Sequence, residues 1–371
     1  MKLLHLSDLH LGKNIGSYSL IEEQKYALDK ILEIIKDEDI DVVMIAGDIF
    51  DTNIASSEAL ELYSYFIEKV VFSFNKKVLA ISGNHDSSKR LDINRKFYRS
   101  QNYYMVGKYD PNPITFYDFL GPVNFYLIPF ISINKAKTEI DSNIENFTDI
   151  YKKLLENIKY KDRNVLITHA YASDLSNFDE KEYNLDQKPL NIGGSDAMDV
   201  NLFMNFDYVA LGHLHRAHYV KDPKIRYSGT FMKYSFDEAN LKKTVTLVDL
   251  KKDINIKKLE ISPLRDFEVR EGKFFDLLKQ KSSENYIKFV LEDDFTIENA
   301  MAKLKEKFPK AVSITYANRS VFNKSKSLDI DIENKDIIEI FSEFYKYKMD
   351  EEIKDDDLVL LKRIEQCDQK N

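Results

Sequence analysis

The amino-acid sequence predicts an α/β protein, and two observations carry that prediction. Short apolar runs of four to six residues recur through the first 260 residues without strict alternation, as is typical of strands buried on both faces of a sheet. Between several of these runs lie longer segments whose apolar residues recur at helical spacing. This succession predicts sheets at the centre of the molecule with helices packed against them.

Five segments are predicted as strands because each is a short apolar run that ends in glycine or a polar residue. They are KLLHLS (2–7), VVMIAG (42–47), KVLAISG (77–83), NVLITH (164–169) and DYVALG (207–212). A helix is predicted over 19–39, where Ser19 and Glu22 match the capping-box pattern, and a second helix over 56–74.

The character of the sequence changes near Pro263, where a shorter mixture of strand-like and helix-like segments begins. The acidic end then carries apolar stripes that predict two helices, at about 334–348 and 355–366. We therefore expect four parts, which are an α/β domain (1–262), a small α+β domain (263–320), a polar linker (321–333) and a helical segment (334–371).

The composition argues against several classes of protein. Cys367 is the only cysteine, which rules out an internal disulfide and a thiolate metal cluster and favours a reducing compartment. The opening MKLLHLSD is too short for a signal peptide, and no run approaches the ~20 apolar residues of a membrane span. We expect a cytoplasmic protein that does not enter a membrane.

The net charge of −8 argues against a simple basic nucleic-acid binder, but the charge is unevenly distributed. Residues 329–357 contain 12 Asp and Glu against 4 Lys and Arg, so the rest of the chain sums to zero. Within that neutral part, 87–108 has six basic residues against one acidic, and 213–234 has five against one. These two segments are candidates for contacts with a phosphate backbone, with ordinary solvated surface charge as the alternative.

Polar residues of unusual type follow the predicted strands. In open α/β sheets, sites form at the carboxyl ends of strands because the loops converge there. In an extended segment, residues two apart point the same way, so Asp8 with His10 and His213 with His215 are each expected to face one spot. Glycines at 47, 83 and 212 directly precede such polar residues and allow the backbone to turn sharply.

The donor set predicts a metal site. Nitrogen and oxygen donors without sulfur suit manganese, iron or zinc, whereas magnesium and calcium prefer oxygen alone. Seven side chains are too many for one ion, so we expect two ions bridged by Asp48. The predicted ligands are Asp8, His10, Asp48 and His215 for one ion, and Asp48, Asn84, His169 and His213 for the other. Two such ions can clamp the attacking and leaving oxygens of a phosphoryl displacement.

Each of these motifs alone is weak, because a single DxH or HxH is more often structural or incidental. Their occurrence in this order, each after an apolar strand, favours the metal site. His5 lies inside the first predicted strand and is interpreted as a satisfied core residue. His218 is interpreted as a loop residue near the site that is not a ligand.

The series DLH, GDIFD, GNHD, THA and GHLH resembles the calcineurin-type metallophosphoesterase superfamily. Within it, HLSDLHLGK, AGDIFD, SGNHDS, YVALGHLHR and IRYSGTFMKYSFDEAN resemble the SbcD family of nuclease subunits, which are bacterial relatives of the Mre nucleases. The strong resemblance covers about residues 1–250. It implies a double β-sheet sandwich flanked by helices, two Mn²⁺ ions, a catalytic His85 that binds no metal, and an Asp51 that orients His85.

The resemblance also implies how the parts of the chain are used. The domain over 1–262 would be the nuclease, that over 263–320 a capping domain, and 334–371 a partner-binding segment. The partners implied are DNA and an SbcC-type coiled-coil ATPase, with a homodimer of this chain inside a heterotetramer associated with the nucleoid. Candidate DNA-binding residues are Lys89, Arg90, Arg95 and Arg216.

The residues and the resemblance together predict a two-metal DNA phosphodiesterase. The resemblance further implies 3'-5' double-strand exonuclease and single-strand or hairpin endonuclease activity in DNA repair, recombination and replication. His85 is expected to donate a proton to the leaving oxygen, with its ring held by the Asp51 carboxylate. One alternative is a phosphodiesterase or phosphatase of the same superfamily acting on a small substrate. Another is a non-catalytic scaffold, which would not need the full set of ligands.

Overall fold

The structure, a computed structural model, describes residues 1–174, 197–317, 337–349, 352–353 and 358. Two units can be distinguished by their internal contacts. The first comprises Met1–Glu268 and Glu284–Ile287, and the second comprises Val269–Ser283 and the described residues from Lys288 onwards. The predicted boundaries of the four parts stay a prediction.

The described strands are numbered in chain order. They are β1 (Lys2–Leu6), β2 (Asn14–Ile15), β3 (Tyr18–Ser19), β4 (Val42–Ala46), β5 (Lys77–Ile81), β6 (Tyr103–Val106), β7 (Ile114–Asp118), β8 (Gly121–Ile128), β9 (Arg163–His169), β10 (Ala172–Ser173), β11 (Met198–Asp199), β12 (Tyr208–Gly212), β13 (His218–Val220), β14 (Asp222–Tyr227), β15 (Thr244–Asp249), β16 (Asn255–Glu260), β17 (Phe267–Gly272), β18 (Tyr286–Leu291) and β19 (Ala311–Tyr316). All five predicted strands are present.

Two six-stranded sheets form the first unit. The first sheet has the order β16-β15-β1-β4-β5-β6, in which β1, β4, β5 and β6 run parallel and β15 and β16 are antiparallel additions. The second sheet has the order β13-β14-β12-β9-β8-β7, in which the four central strands run parallel between antiparallel edges. The predicted α/β class is confirmed.

One apolar cluster joins the inner faces of the two sheets. The first sheet contributes Leu3, Met44, Ala46, Leu79 and Ile81, and the second contributes Phe125, Leu127, Val165, Ile167 and Ala210. Strand β4 is buried along its whole length, which explains its unbroken apolar sequence. The sheets therefore form a sandwich in which the carboxyl ends of parallel strands from both layers are held in fixed places.

The described α-helices are likewise numbered in chain order. They are α1 (Ile21–Asp37), α2 (Ser57–Glu68), α3 (Ser88–Leu91), α4 (Arg95–Arg99), α5 (Ile133–Glu139), α6 (Phe147–Leu155), α7 (Phe274–Lys279), α8 (Ala300–Lys307) and α9 (Ile337–Met349). Among the described helices, none combines the length and the apolar character needed to span a membrane.

The two helices predicted in the first part of the chain are confirmed, but one predicted cap is wrong. Helix α2 begins after Ser56, whose side chain accepts a hydrogen bond from the Ala59 amide at 3.2 Å. Helix α1 begins after Leu20, which makes no side-chain cap hydrogen bond. Ser19 instead lies one residue before that cap and pairs with Asn14 in the small β2–β3 ladder, and its hydroxyl accepts a long hydrogen bond from the Ile21 amide at 3.4 Å.

The second unit contains β19 and most of β17 and β18, which pair in a three-stranded sheet of order β17-β18-β19, together with α7 and α8. Its core is formed by Phe274, Leu277, Phe289, Leu304 and Phe308. Helix α9 matches the first helix predicted in the acidic end. The linker over 321–333 and, apart from Leu358, the second helix over 355–366 lie outside the described residues.

Candidate metal centre

The polar residues that follow five parallel strands meet at one place. Strands β1, β4 and β5 of the first sheet and β9 and β12 of the second end there, as the sequence predicted. The structure brings together all seven predicted ligands, which are Asp8, His10, Asp48, Asn84, His169, His213 and His215.

Asp8, His10 and His215 form what we call the first ligand group. One ligand atom from each lies within 4.8 Å of those of the other two. The Nε2 atoms of His10 and His215 are 3.2 Å apart, and His10 Nε2 is 3.8 Å from Asp48 Oδ2. These atoms can surround one small ion.

Asn84, His169 and His213 form the second ligand group. Oδ1 of Asn84 lies 2.8 Å from His169 Nε2 and 3.2 Å from His213 Nδ1. His169 Nε2 is also 3.5 Å from Asp48 Oδ2, the carboxylate oxygen that faces His10. Asp48 therefore lies between the two groups, at the place where the sequence predicted a bridging carboxylate.

The orientation of the imidazoles tests whether this cluster fits cations. Nδ1 of His169 lies 2.9 Å from the Ala46 carbonyl oxygen, and since a carbonyl only accepts, this nitrogen carries the hydrogen. The other nitrogen of a neutral His169 is then a lone pair, which faces the acceptor Oδ1 of Asn84 at 2.8 Å. A cation bound by both atoms would satisfy this pair of acceptors. The residues fit divalent ions that accept mixed nitrogen and oxygen donors.

The backbone of the ligand loops adopts a conformation that residues other than glycine rarely take. The φ angles are 52° at Asp8, 42° at His10, 49° at Asp48 and 106° at His213. Such strain persists only where the surroundings enforce it, and it clusters at functional sites. The sequence argument assumed extended segments, and that assumption is wrong: left-handed turns aim Asp8 and His10 at one spot, while His213 and His215 separate to different groups.

Two of the glycines noted in the sequence are required for close packing around the ligands. A Cβ atom on Gly83 would lie 2.1 Å from Asp48 Oδ1. A Cβ atom on Gly212 would lie 1.8 Å from the Ala46 carbonyl oxygen and 2.8 Å from His169 Nδ1. Any side chain at these positions would displace the Asp48 carboxylate or the His169 imidazole.

Burial sets the protonation of several predicted ligands. It lowers the pKa of His215 to about 3 and that of His213 to about 4. Burial raises the pKa of Asp8 to about 6. At neutral pH the two imidazoles therefore present lone pairs while Asp8 is mostly a carboxylate, which is the protonation that a cation requires.

His85 and Asp51 are adjacent, but their contact differs from the prediction. His85 Nδ1 donates to the backbone carbonyl oxygen of Asp51 at 2.9 Å, and the predicted bond to the Asp51 carboxylate is absent. That carboxylate accepts from Lys13 Nζ at 2.7 Å and lies 3.5 Å from His10 Nδ1. The turn after β4 directs the main chain of Asp51 to His85 and its side chain to the first ligand group.

Several buried polar residues that support the site were not predicted. We call Gln24, Tyr234, Glu238 and Lys243 the inner brace: the first two and Lys243 donate to backbone carbonyls at or beside the first ligand group, and Glu238 pairs with Lys243. Three lie in or close to the segment 225–240, which the sequence analysis noted for its resemblance and, in part, for its basic charge, but not for support of the site. Asp86 is a further such residue: its carboxylate accepts from the amides of Ile49, Phe50 and Gly83.

The two remaining histidines lie apart from the ligand groups. His5 is fully buried and bonded to the Tyr208 hydroxyl (3.0 Å) and the Leu211 carbonyl (3.2 Å), so its interpretation as a core residue is confirmed. His218 stacks on Tyr227 with ring centroids 4.9 Å apart. It begins β13 rather than lying in a loop, and it belongs to none of the candidate metal groups in the described residues.

The four candidate DNA-binding residues have different surroundings. Lys89, Arg90 and Arg216 are exposed. Arg95 instead pairs with Asp110 at 3.2 Å and with Asp92 at 3.6 Å, so it is the least available of the four for a phosphate. Their role stays a prediction.

Comparison with known proteins gives concordant results. The family model described as calcineurin-like phosphoesterase matches residues 1–217. The chain is 30% identical over 367 residues to the SbcD subunit of the SbcCD nuclease of Staphylococcus epidermidis, with 95% of each chain covered. Two solved structures are more distantly similar. A dimetal phosphatase from Danio rerio has 13% identity and a TM-score of 0.43, covering 71% of this chain and 98% of that one. TT1561 of Thermus thermophilus has 13% identity and a TM-score of 0.39, covering 69% and 98%.

Proposed function

The chain belongs to the calcineurin-like phosphoesterase family, among the relatives of the SbcD nuclease subunits, and on that premise we propose that it is a two-metal DNA nuclease. The activity would combine 3'-5' double-strand exonuclease with single-strand and hairpin endonuclease cleavage in DNA end processing. The family and the candidate metal cluster together imply divalent metals.

The observation that carries the proposal is the pair of ligand groups on either side of Asp48. We assign Asp8, His10 and His215 to one ion and Asn84, His169 and His213 to the other, with Asp48 shared. Divalent ions bound there would polarise the phosphoryl oxygens and provide a nucleophile at neutral pH. The imidazole nitrogens in both groups favour Mn²⁺ over Mg²⁺.

His85 is proposed as the general acid. Its Nδ1 hydrogen is engaged by the Asp51 carbonyl, so Nε2 is the nitrogen left to give a proton to the leaving oxygen. Its backbone amide donates to Asp48 Oδ1 at 2.8 Å, which fixes the residue to the bridging carboxylate. The ring lies 4.9 Å from that of His10 and is exposed, so a substrate can reach it.

We propose that phosphates of the DNA backbone contact Lys89, Arg90 and Arg216. The three are exposed and have no carboxylate within ion-pair distance in the part of the chain that the structure describes, which suits them to that role, whereas Arg95 is held by Asp92 and Asp110. Replacing any of the three by alanine should weaken DNA binding about equally for all sequences and reduce its salt dependence.

Cleavage of a linear duplex by the full-length protein in Mn²⁺ tests the proposed function. We expect EDTA to abolish cleavage, Mn²⁺ to restore it better than Mg²⁺, and Asp48→Asn to be inactive. Hydrolysis of bis-p-nitrophenyl phosphate is measured in parallel. A protein that hydrolyses this ester but leaves every DNA intact, even with its ATPase partner, would be the small-substrate enzyme. A protein inactive on both would be a scaffold.

The acidic end is proposed as the docking segment for an SbcC-type coiled-coil ATPase, within a heterotetramer that contains two copies of this chain. In the described part of this segment, α9 exposes 41% of Phe341, whose ring neighbours that of Tyr345. An apolar helix face of this kind suits a coiled-coil surface.

Co-purification with the ATPase tests this docking. We expect Phe341→Asp to abolish it while leaving phosphodiester hydrolysis intact. Phe119→Asp is the matched control, because Phe119 is 82% exposed at the turn between β7 and β8. Equal binding by both variants and the unchanged protein would show that the acidic end serves another purpose.

A further inference from the structure

Asp51 lies between two parts of the site that are proposed to do different work. Its backbone carbonyl accepts from His85 Nδ1 at 2.9 Å. Its carboxylate oxygen Oδ1 lies 3.5 Å from His10 Nδ1. The question is which of these two imidazoles depends on the Asp51 side chain.

The surroundings of His10 point to the carboxylate. His10 is 2% exposed, and its Nε2 faces His215 and Asp48 in the first ligand group. Its Nδ1 atom is buried on the opposite side of the ring and makes no close hydrogen bond within the described residues. Asp51 Oδ1 is the acceptor that lies within ion-pair distance of it. An imidazole that binds an ion through one nitrogen commonly gives its other N–H to a carboxylate, which fixes the ring and raises its basicity.

Lys13 holds the carboxylate in that position. Its Nζ donates to Asp51 Oδ1 at 2.7 Å and lies over the Tyr234 ring, 5.9 Å from the centroid. The backbone fixes the same arrangement, since the Asp51 amide donates to the Leu11 carbonyl and the Lys13 amide to the His10 carbonyl. Lys13 is therefore hydrogen-bonded to a carboxylate that in turn lies within ion-pair distance of a predicted ligand, His10.

His85 does not need the Asp51 side chain for its own orientation. Its ring is held through the Asp51 main chain, which is present whatever residue occupies position 51. Its backbone amide is held separately by Asp48 Oδ1. A change confined to the side chain of Asp51 removes neither contact.

We propose that Asp51 is a positioning residue for the metal ligand His10, with Lys13 holding its carboxylate in place, and that it does not orient the general acid. The proposal rests on the proposed function in one respect, namely that His10 binds a metal ion. It assigns to one residue two separate tasks: the carboxylate serves an ion of the first ligand group, and the main chain serves His85.

Mn²⁺ binding to full-length Asp51→Asn, measured by calorimetry on chelator-stripped protein, tests the proposal. We expect two ions to bind, one of them about 10–100-fold more weakly than in the unchanged protein. Activity lost at low Mn²⁺ should recover substantially as Mn²⁺ is raised to saturate the weakened site. His85→Asn should show the opposite pattern. Its Mn²⁺ affinity should be unchanged, and its turnover should be about 10²–10⁴-fold lower at every Mn²⁺ concentration.

Two results would overturn the proposal. If Asp51→Asn binds both ions with unchanged affinity and loses turnover as His85→Asn does, the carboxylate serves the acid. If it binds only one ion, Asp51 is itself a ligand. Lys13→Met provides a second variant should Asp51→Asn fold poorly, and unchanged Mn²⁺ affinity in it would contradict the role given to Lys13. Because ion affinity is measured without DNA, these outcomes are distinct from a failure of DNA cleavage, which would count against the proposed function.

Discussion

Asp8 and His10 of the first ligand group are almost fully buried, whereas Asn84 of the second group is exposed. The difference extends to what lies behind the ligands. Buried side chains outside the predicted ligand set hold the backbone of the first group, whereas the second group is supported by the Ala46 carbonyl at His169 and by the Asp8 carboxylate at His213.

The inner brace provides the support of the first group. Gln24 Nε2 donates to the His10 carbonyl at 2.8 Å, and the Tyr234 hydroxyl donates to the Leu9 carbonyl. Lys243 Nζ donates to the His215 carbonyl at 3.1 Å and pairs with Glu238, which also accepts from the Tyr234 amide. All four brace residues are buried, so these bonds are shielded from water.

In the second group, His169 is fixed by the Ala46 carbonyl and His213 by the hydrogen bond of its amide to Asp8. The side chain of Asn84 faces only the two imidazoles of its own group among its hydrogen-bond partners in the described chain. The comparison teaches that the first group has support from buried side chains outside the predicted ligand set, which Asn84 of the second group lacks among the described residues. We therefore expect the first ion to bind more tightly.

Asp48→Asn should have the largest effect, because Asp48 belongs to both groups. We expect both ions to be lost and hydrolysis to fall by about 10³-fold or more, since several kcal/mol of charge stabilisation disappears. Metal content and turnover on a small phosphodiester are the measurements. Asn84→Ala is the control and should lose only the weaker ion. If Asp48→Asn retains one tight ion, the carboxylate does not bridge the groups.

Glu238→Gln breaks the inner brace by leaving Lys243 buried without its carboxylate. Removing one partner of a buried ion pair typically costs ~3–5 kcal/mol, so the free energy of unfolding should fall by about that amount. Glu260→Gln is the matched control, because Glu260 pairs at 2.9 Å with the neighbouring and exposed Lys242. That change should cost less than ~1 kcal/mol. Equal costs in urea unfolding of the metal-free proteins would mean that the brace contributes no more than a surface pair.

The pH dependence of unfolding tests whether His5 is buried in its neutral form. Burial lowers its pKa from 6.5 to about 3, so the folded protein binds fewer protons than the unfolded chain between these values. Its contribution to stability is complete above about pH 6.5 and is lost as the pH falls towards 3, at ~1.4 kcal/mol per pH unit. In His5→Leu the pH dependence of unfolding between about pH 4.5 and 6 should be shallower by that slope. An unchanged slope in chelator-treated protein would show that His5 is not held neutral.

Tyr234→Phe should have the smallest effect of the four. It leaves the buried Leu9 carbonyl without the hydroxyl, at a cost of ~1–3 kcal/mol, and should weaken binding of the first ion. Tyr63→Phe is the control, since it removes a buried hydroxyl that bonds Tyr103 at 2.9 Å, in a different part of the first unit. Calorimetry compares the Mn²⁺ affinities of the two variants. If Tyr234→Phe and Tyr63→Phe bind Mn²⁺ alike, the inner brace stabilises the fold without shaping the first ligand group.

The strands and ligands could be predicted from the sequence because their signals are local. A buried parallel strand is an unbroken apolar run, and the residue after it is found at the sheet edge wherever the strand lies. The inner brace carries no such signal. Gln24 resembles any polar residue on a helix, and Tyr234 any aromatic residue in a loop, until the fold brings them together across 210 positions of sequence.

Two predictions failed for a related reason. The capping box at Ser19 and the extended geometry around Asp8 were inferred from neighbouring residues alone. Ser19 lies in the small β2–β3 ladder and is not the N-cap of α1. The backbone at Asp8 forms a left-handed turn where an extended segment was predicted. Likewise, the presence of Asp51 beside His85 was predictable, but the choice between its carbonyl and its carboxylate depends on Lys13 and His10 in a different loop.

The origin of the ligands in two sheets has a consequence for the protein during its synthesis. Asp8 and His10 are made at the start, yet their partners His213 and His215 emerge 205 positions later, and Lys243 of the inner brace later still. A growing chain that has reached only the first four strands of the first sheet lacks three of the seven ligands. Strand β15, which completes that sheet beside β1, also comes only after the last ligand. The seven predicted ligands can therefore come together only after both sheets of the sandwich have been translated.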